Sequence, residues 1–386
     1  MIYLDNAATT PLDEKVFEAM LPYFKQEFGN PSSVHESGRN ARAAMDKARQ
    51  VIASTLNANP KEIVFTSGAT ESVNAIHKGV VLASTHQVKH IITSAIEHHC
   101  VLDCIEWLGR QDVAVTYVMP NHEGFIDPQD VKKAIRPGET ILISIMSANN
   151  EVGTIEPFAE IGQIAKDNGI LFHTDAVQGY GKISIDVQRD HIDFLSVSAH
   201  KIYGPKGAGF FYQRKGVELV PLIHGGGQEQ DLRGGTENVA GIVGMAVAAQ
   251  LIFERSTERQ RLRDLVEELW SGLKRAYPEV QLNGPKDPTK RVPGLLNITF
   301  PGVSGEQLVQ SLDAQGFAAS SGAACAAGSA PPSHVLMGMG RSEAQAKQGL
   351  RISLGHGTTE EQVQKLVSVL PGLVAKLKTT VSFSDD

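Results

Sequence analysis

Lys201 stands in the decapeptide Ser198-Ala199-His200-Lys201-Ile202-Tyr203-Gly204-Pro205-Lys206-Gly207, directly after an apolar run over residues 192–198. The run reads as a buried strand and Gly-Pro-Lys-Gly as a turn, since Pro fixes φ and Gly supplies a permissive backbone. An ammonium just past a core strand is costly unless it has a partner or a task. A buried lysine shifts its pKa readily, and one use of that is a Schiff base to a carbonyl cofactor. A solvent-exposed loop lysine is the plain alternative, and the decapeptide alone does not displace it.

Other stretches hold candidate chemistry of their own. Ser67-Gly68-Ala69-Thr70-Glu71 joins a strand to a helix. Its N–H groups and two hydroxyls can cradle a phosphate at the helix N-terminus or simply cap the helix, and without a GK[ST] ending it is not a P-loop. Asp175 ends an apolar strand and precedes Ala176-Val177-Gln178-Gly179, so it could hold a cationic ring nitrogen or act as a helix N-cap. Glu97-His98-His99, with Cys100 and Cys104 one helical turn apart, completes neither a CxxC pair nor an HExxH pattern. A zinc site is therefore rejected in favour of one histidine beside a cofactor ring, and the two thiols read as small apolar side chains. The stretch from His224 to Thr236 is Gly-rich with polar ends, a mobile loop or a second phosphate contact. It lacks the GxGxxG spacing of a dinucleotide site. Finally, residues 320–330 surround one thiol, Cys325, with Ser, Gly and Ala, which reads as a flexible, exposed loop. An exposed thiol invites oxidation unless it serves as a nucleophile.

These residues need elements to position them. From residue 62 to residue 198 short apolar strands alternate with amphipathic helices: strands over 62–66, 90–94, 114–118, 140–146, 170–175 and 192–198, helices over 72–84, 100–109, 128–135 and within 155–168. Helices over 13–28 and 38–56 precede them. The pattern predicts a mostly parallel sheet covered on both faces, with ligands bound beyond the carboxyl ends of the strands. That is where residues 67–70, Asn149-Asn150, Asp175 and Lys201 all fall. Residues 240–253 form an apolar stretch shorter than the ~20 residues of a membrane span and read as a core helix. A long charged helix over 254–277 then connects to a smaller α+β region, with strands at 295–300 and 350–354 and helices at 304–315 and 359–376.

Composition bounds the function. The 386 residues carry a formal net charge of −7 and no basic run, which argues against nucleic acid as the main partner. Three cysteines are an odd number and too few for a disulfide framework, and the N-terminus carries no leader-like pattern. The expectation is a soluble, cytoplasmic protein that engages no membrane.

Taken together, the motifs are much more specific than apart. The runs Tyr3 to Pro11, Phe28 to Ser33, Phe65 to Glu71, Asn149-Asn150-Glu151-Val152-Gly153, Ser198 to Gly207, the Gly225 loop and Arg351-Ile352-Ser353-Leu354-Gly355 resemble those of the cysteine desulfurases of the NifS/IscS type. These belong to the class V aminotransferase group of fold-type I pyridoxal-phosphate enzymes. The resemblance spans nearly the whole chain. It implies an α/β fold whose large domain, residues 16–255, has a mostly parallel seven-stranded sheet covered by helices. Residues 1–15 and 256–386 would form the small α+β domain, carrying a mobile catalytic-cysteine loop at about 320–333.

Residue by residue, the resemblance implies that Lys201 carries pyridoxal 5'-phosphate as a Schiff base, that Asp175 pairs with its ring nitrogen, that Gln178 bonds its phenolic oxygen and that His98 stacks on the ring and moves protons. Ala69, Thr70, Ser198 and His200 would hold the phosphate, with Thr236 reaching it from the neighbouring subunit of a homodimer. Asn150, also beside the cofactor, and Arg351 would hold the substrate carboxylate. Cys325 would take sulfur from L-cysteine as a persulfide, leaving L-alanine. It would then pass the sulfur to an acceptor such as an iron–sulfur scaffold, a thio-cofactor or a tRNA-thiolation protein, where it could also share an iron–sulfur ligand; no intrinsic metal is implied. A selenocysteine lyase or cysteine-sulfinate desulfinase on the same fold is the alternative. Two departures are minor: Ala326-Ala327 replace common hydroxyl residues, and Val73 a common polar one.

Overall fold

The structure is a computed structural model and describes residues 1–321 and 331–382. Its strands are β1 (Ile2–Tyr3), β2 (Ile63–Thr66), β3 (His90–Ser94), β4 (Ala114–Val118), β5 (Thr140–Ser144), β6 (Leu171–Asp175), β7 (Phe194–Ser198), β8 (Gly209–Gln213), β9 (Gln281–Asn283), β10 (Leu295–Thr299), β11 (Phe317–Ala318) and β12 (Gly349–Ser353). The α-helices are α1 (Glu14–Lys25), α2 (Glu36–Ser54), α3 (Ala69–Ala83), α4 (His99–Gly109), α5 (Pro128–Ala134), α6 (Phe158–Asp167), α7 (Val239–Glu254), α8 (Glu258–Ala276), α9 (Gly305–Ala314), α10 (His334–Gly338), α11 (Glu343–Ala346) and α12 (Glu360–Ser382).

Seven strands form the main sheet, in the order β2-β8-β7-β6-β5-β3-β4. The pairs from β7 to β4 are parallel, while β8 runs antiparallel to both β7 and β2. Every residue of β3, β5 and β7 is buried, as continuous Ile, Val, Leu and Phe runs require when helices cover both faces. One face packs on α2, α6 and α7 and the other on α3 and α4. The smaller sheet is antiparallel, ordered β12-β10-β9. It shares a separate core with α8, α9 and α12, built on Leu269, Leu296, Ile298, Phe300, Leu312 and Ile352.

Of the elements that differ from the sequence-based expectation, three bear on how the chain is arranged around the lysine. β8 was not foreseen. After β7 the chain makes a single 3-10 turn at Ala199–Lys201 and passes Tyr203 at φ 67° and Gly207 at φ 75° before returning as β8. The lysine thus sits in a β-hairpin connection, not in a crossover to a helix. Gly209 is obligatory at the start of β8, because a Cβ there would lie 2.5 Å from the Gly68 Cα. The helix after β2 begins at Ala69 rather than at residue 72, which puts Ala69 and Thr70 in its first turn. The charged helix expected over 254–277 starts at Glu258 and lies 71° from α7. Arg255 breaks the run with a non-helical φ/ψ of −80°/53° and pairs instead with Asp13, the N-cap of α1. The bend lets α7 serve the first core and α8 the second. Among the described residues no single helix is long and apolar enough to cross a membrane.

The Gly225 loop is fastened at its centre. Glu229, at φ 47°, is buried and accepts from Arg49 Nη1 and Nη2 at 2.7 and 2.6 Å and from the Phe65 amide at 2.8 Å. Removing one partner of a buried pair strands the other charge, so Glu229→Ala should lower stability by about 3–5 kcal/mol. Equilibrium urea unfolding would show this, and the double variant with Arg49→Ala should lose less than the sum of the two single losses. A loss below ~1 kcal/mol would mean that the pair is solvated like a surface one.

Candidate active site

A cleft of about 700 Å³ opens beyond the carboxyl ends of β5, β6 and β7, where α3 and α4 begin and where β12 and the N-terminal segment close over it. Lys201 lies at its floor. Its Nζ donates to the carbonyls of Ala7 and Ala8 at 2.7 and 2.5 Å. Burial, and next the Arg351 guanidinium, depress Lys201 to about 8. Neutral amine is therefore within reach near physiological pH, as a lysine nucleophile or base requires.

Asp175 is the last residue of β6 and is buried. Its Oδ1 accepts from the Val177 amide at 2.9 Å, so it braces a turn and does not cap a helix. Burial raises it to about 6, against the downward pull of that bond and of Lys201. A buried carboxyl with a raised pKa ionises fully when a cation is brought against it, which suits a protonated ring nitrogen. His98 caps α4, with Nδ1 accepting from the Cys100 amide at 3.1 Å. Burial first and Lys201 second hold it down at about 4, so the imidazole is neutral with its proton on Nε2.

The first turn of α3 supplies the features of an anion site. Its N-cap is Gly68 at φ 154°, with no side-chain cap hydrogen bond, and Ala69 and Thr70 line the cleft. The leading N–H groups of this 15-residue helix thus face the cleft uncapped by a side chain. Ser198 and His200 line the same end, and His200 Nδ1 lies 3.1 Å from Thr9 Oγ1. An uncapped helix start, a buried Asp at a strand end and a lysine of lowered pKa in one cavity fit pyridoxal phosphate. Thr236 is exposed and is not among the residues lining the cleft of a single chain.

Arg351, on β12, forms the opposite wall. Nη1 donates to the Asn150 carbonyl at 3.0 Å and Nη2 to Asp5 Oδ1 at 2.9 Å, while Nε has no partner among the described residues. Gln178 is buried, donating from Nε2 to the Ala7 carbonyl at 2.9 Å. The structure thus gathers Lys201, Asp175, His98, Gln178, Asn150, Arg351, Ser198, His200, Ala69 and Thr70 around one space. Cys325 lies outside the described residues. Its described flanks are attached to the cleft's own scaffolding. Ser320 and Arg351 exchange backbone hydrogen bonds of 3.2 and 2.7 Å, and Ser333 Oγ donates to Glu151 at 2.5 Å.

Sequence reasoning missed the part played by Asp5, Ala7, Ala8 and Thr9. The run from Tyr3 to Pro11 stands out as a motif, but carbonyl groups that bind a lysine leave no trace in residue type. Cys100, read as a small apolar side chain, is partly buried and touches the cleft, and burial drives its thiol pKa far up.

Residues 2–366 match the family model for aminotransferase class V. The chain belongs to the class-V aminotransferase family. Within that family it groups with cysteine desulfurases. It is 47% identical to cysteine desulfurase IscS of Dictyoglomus turgidum, across 100% of this chain and 97% of that protein. A solved NifS-like protein superposes with a TM-score of 0.91 at 38% identity, covering 97% of this chain and 100% of the other. SspA, solved in complex with cysteine, gives 0.81 at 41% identity over 92% of this chain and 99% of its own. Family membership brings pyridoxal-phosphate chemistry as the general expectation for this cleft.

Beneath the site, Glu97 accepts from Ser94 Oγ at 2.6 Å and the Met146 amide at 2.9 Å. Burial lifts it from its ordinary 4.5 to about 8. The fold holds a proton there that the unfolded chain gives up above 4.5, so this carboxyl's contribution to stability falls as pH rises through that window. Glu97→Gln removes the ionisation. Between pH 5 and pH 8 its Tm should therefore fall less than that of the unsubstituted chain. Parallel Tm–pH curves for the two would show that Glu97 is ionised in the fold.

Proposed function

We propose that the chain removes sulfur from L-cysteine, with Lys201 handling protons and Cys325 taking the sulfur. The observation that carries this reading is the cleft itself. Lys201, with a lowered pKa, shares one cavity with a buried Asp175 and an Arg351 fork on the facing wall. Bound there, pyridoxal phosphate would supply an electron sink for charge developing on the substrate. Asp175 would keep the ring nitrogen protonated, and Gln178 would donate to the phenolic oxygen. His98 would cover the ring, while Ala69, Thr70, Ser198 and His200 would bind the phosphate. Thr236, exposed on one chain, would join them from the second copy of a homodimer.

Arg351 and Asn150 would orient the substrate carboxylate, the incoming carboxylate replacing Asp5 on the guanidinium. Lys201 Nζ, neutral near its depressed pKa, would take the Cα proton. The Cys325 thiolate would then attack the substrate sulfur: an S–S bond forms, Cβ–Sγ breaks, and the three-carbon product leaves as L-alanine after reprotonation. The persulfide on Cys325 would pass to an acceptor protein, of the kind that assembles iron–sulfur clusters or thiolates cofactors or tRNA. Three thiols and no disulfide framework suit the reducing cytoplasm.

Two variants test the division of labour. Cys325→Ser should keep the visible absorbance of the cofactor-loaded chain and lose alanine release from L-cysteine. Full activity in that variant would sink the persulfide route and favour a lyase that needs no protein thiol. Arg351→Lys loses the bidentate fork, so KM for L-cysteine should rise by about tenfold or more, measured by alanine formation. An unchanged KM would place the carboxylate elsewhere.

A further inference from the structure

Behind the cleft, on the far side of Gln178, lies a small cavity of about 50 Å³ between the two sheets. Gln178 and Lys201 line both spaces, whereas Lys182 lines only the rear one. Lys182 is partly buried, and its Nζ donates to Gln178 Oε1 at 3.0 Å. The amide is therefore gripped from both ends, with Oε1 on an ammonium and Nε2 on the Ala7 carbonyl. Turning it over would set NH₂ against the ammonium and oxygen against the carbonyl, opposing like partners at both contacts.

We propose that Lys182 is a positioning residue, which locks the Gln178 amide so that one Nε2–H is committed to Ala7 and the second is presented to the ring oxygen of the cofactor. This rests on the cofactor reading given above. Lys182 also brings a positive charge to the rear of the Lys201 linkage. The charged groups on this wall are otherwise Lys201 after β7, Arg255 after α7, Glu258 and Arg259 on α8, and His356 after β12, while Arg351, Asp5 and Asp175 act on Lys201 from the cleft side. Glu258, the acid on the wall itself, is engaged by Arg261 at 2.9 and 2.5 Å. Burial, together with Lys201 and Arg351, depresses Lys182 to about 7, so the ammonium that grips Oε1 and charges this wall is the form present below that pH.

Both effects of Lys182 act in one direction. A donor on the phenolic oxygen and a cation behind the linkage each favour losing the proton from the Lys201–cofactor linkage. The test is a pH titration of the visible absorbance of the full chain loaded with pyridoxal phosphate, without cysteine. In Lys182→Met the midpoint should rise by about 0.5–1.5 units relative to the unsubstituted chain. Lys182→Arg keeps charge and donor and should stay near the original value, a rescue that loss of packing alone would not predict. If Lys182→Met fails to take up cofactor, Lys182→Gln carries the test, with the same upward shift expected. An unmoved midpoint in the neutral variant that loads, or an arginine variant that moves as far as the methionine one, overturns the proposal. No visible band at any pH in the unsubstituted chain after loading would instead overturn the cofactor reading on which it rests.

Discussion

The N-terminal segment is the tie on which the site depends. Residues 4–10 lie between the two sheets and hydrogen-bond to both. Toward the small sheet, the Ala7 amide donates to Ser353 Oγ at 2.8 Å, Asn6 Nδ2 to the Ser353 carbonyl at 2.9 Å, and Asp5 accepts from Arg351. Toward the large sheet, Thr10 Oγ1 donates to the His200 carbonyl at 2.9 Å, and the Ala7 and Ala8 carbonyls accept from Lys201. Buried backbone carbonyls need donors, and a buried ammonium needs acceptors. Each requirement answers the other, so the lysine is held and the two sheets are joined by the same few bonds.

The electrostatics of the cleft follow from where it lies. The ends of β6 and β7 are flanked by apolar core, so burial is the largest cause behind the shifts of Lys201, Asp175 and His98 alike. Burial pushes cations down and acids up, bringing both toward neutrality in the range where proton transfer is useful. Charge pairs then correct individual groups: Arg351 lowers Lys201 further, and Lys201 draws Asp175 part of the way back. The sheet core that stabilises the fold is therefore also what makes its edge reactive.

Much of this was legible beforehand. Continuous apolar strands alternating with amphipathic helices predict a mostly parallel sheet, and the family motifs predict which residues meet at its carboxyl edge. The misses have two causes. β8 follows a turn rich in Gly and Pro that reads as an end of structure, although it pairs with β7 directly before it as well as with β2, more than 140 residues earlier. The break at Arg255 depends on Asp13, the N-cap of α1. Glu229 looked like part of a loose glycine loop until Arg49 and the Phe65 amide were brought against it. For Arg255 and Glu229 the deciding partner is distant in the chain, and local periodicity carries no record of it.

The sequence by itself determined the family and the chemistry available to it. A lysine past a strand, an aspartate at the end of another and one thiol among small residues are matters of residue type and order. Only the tertiary structure decided how that chemistry is held. Acceptors for Lys201 come from two alanine carbonyls, the fork of Arg351 is steadied by Asp5 and Asn150, and Gln178 is gripped between Lys182 and Ala7. Carbonyls and salt-bridge partners are chosen by proximity in three dimensions, and every residue has a carbonyl, so no reading of side-chain types could single these out.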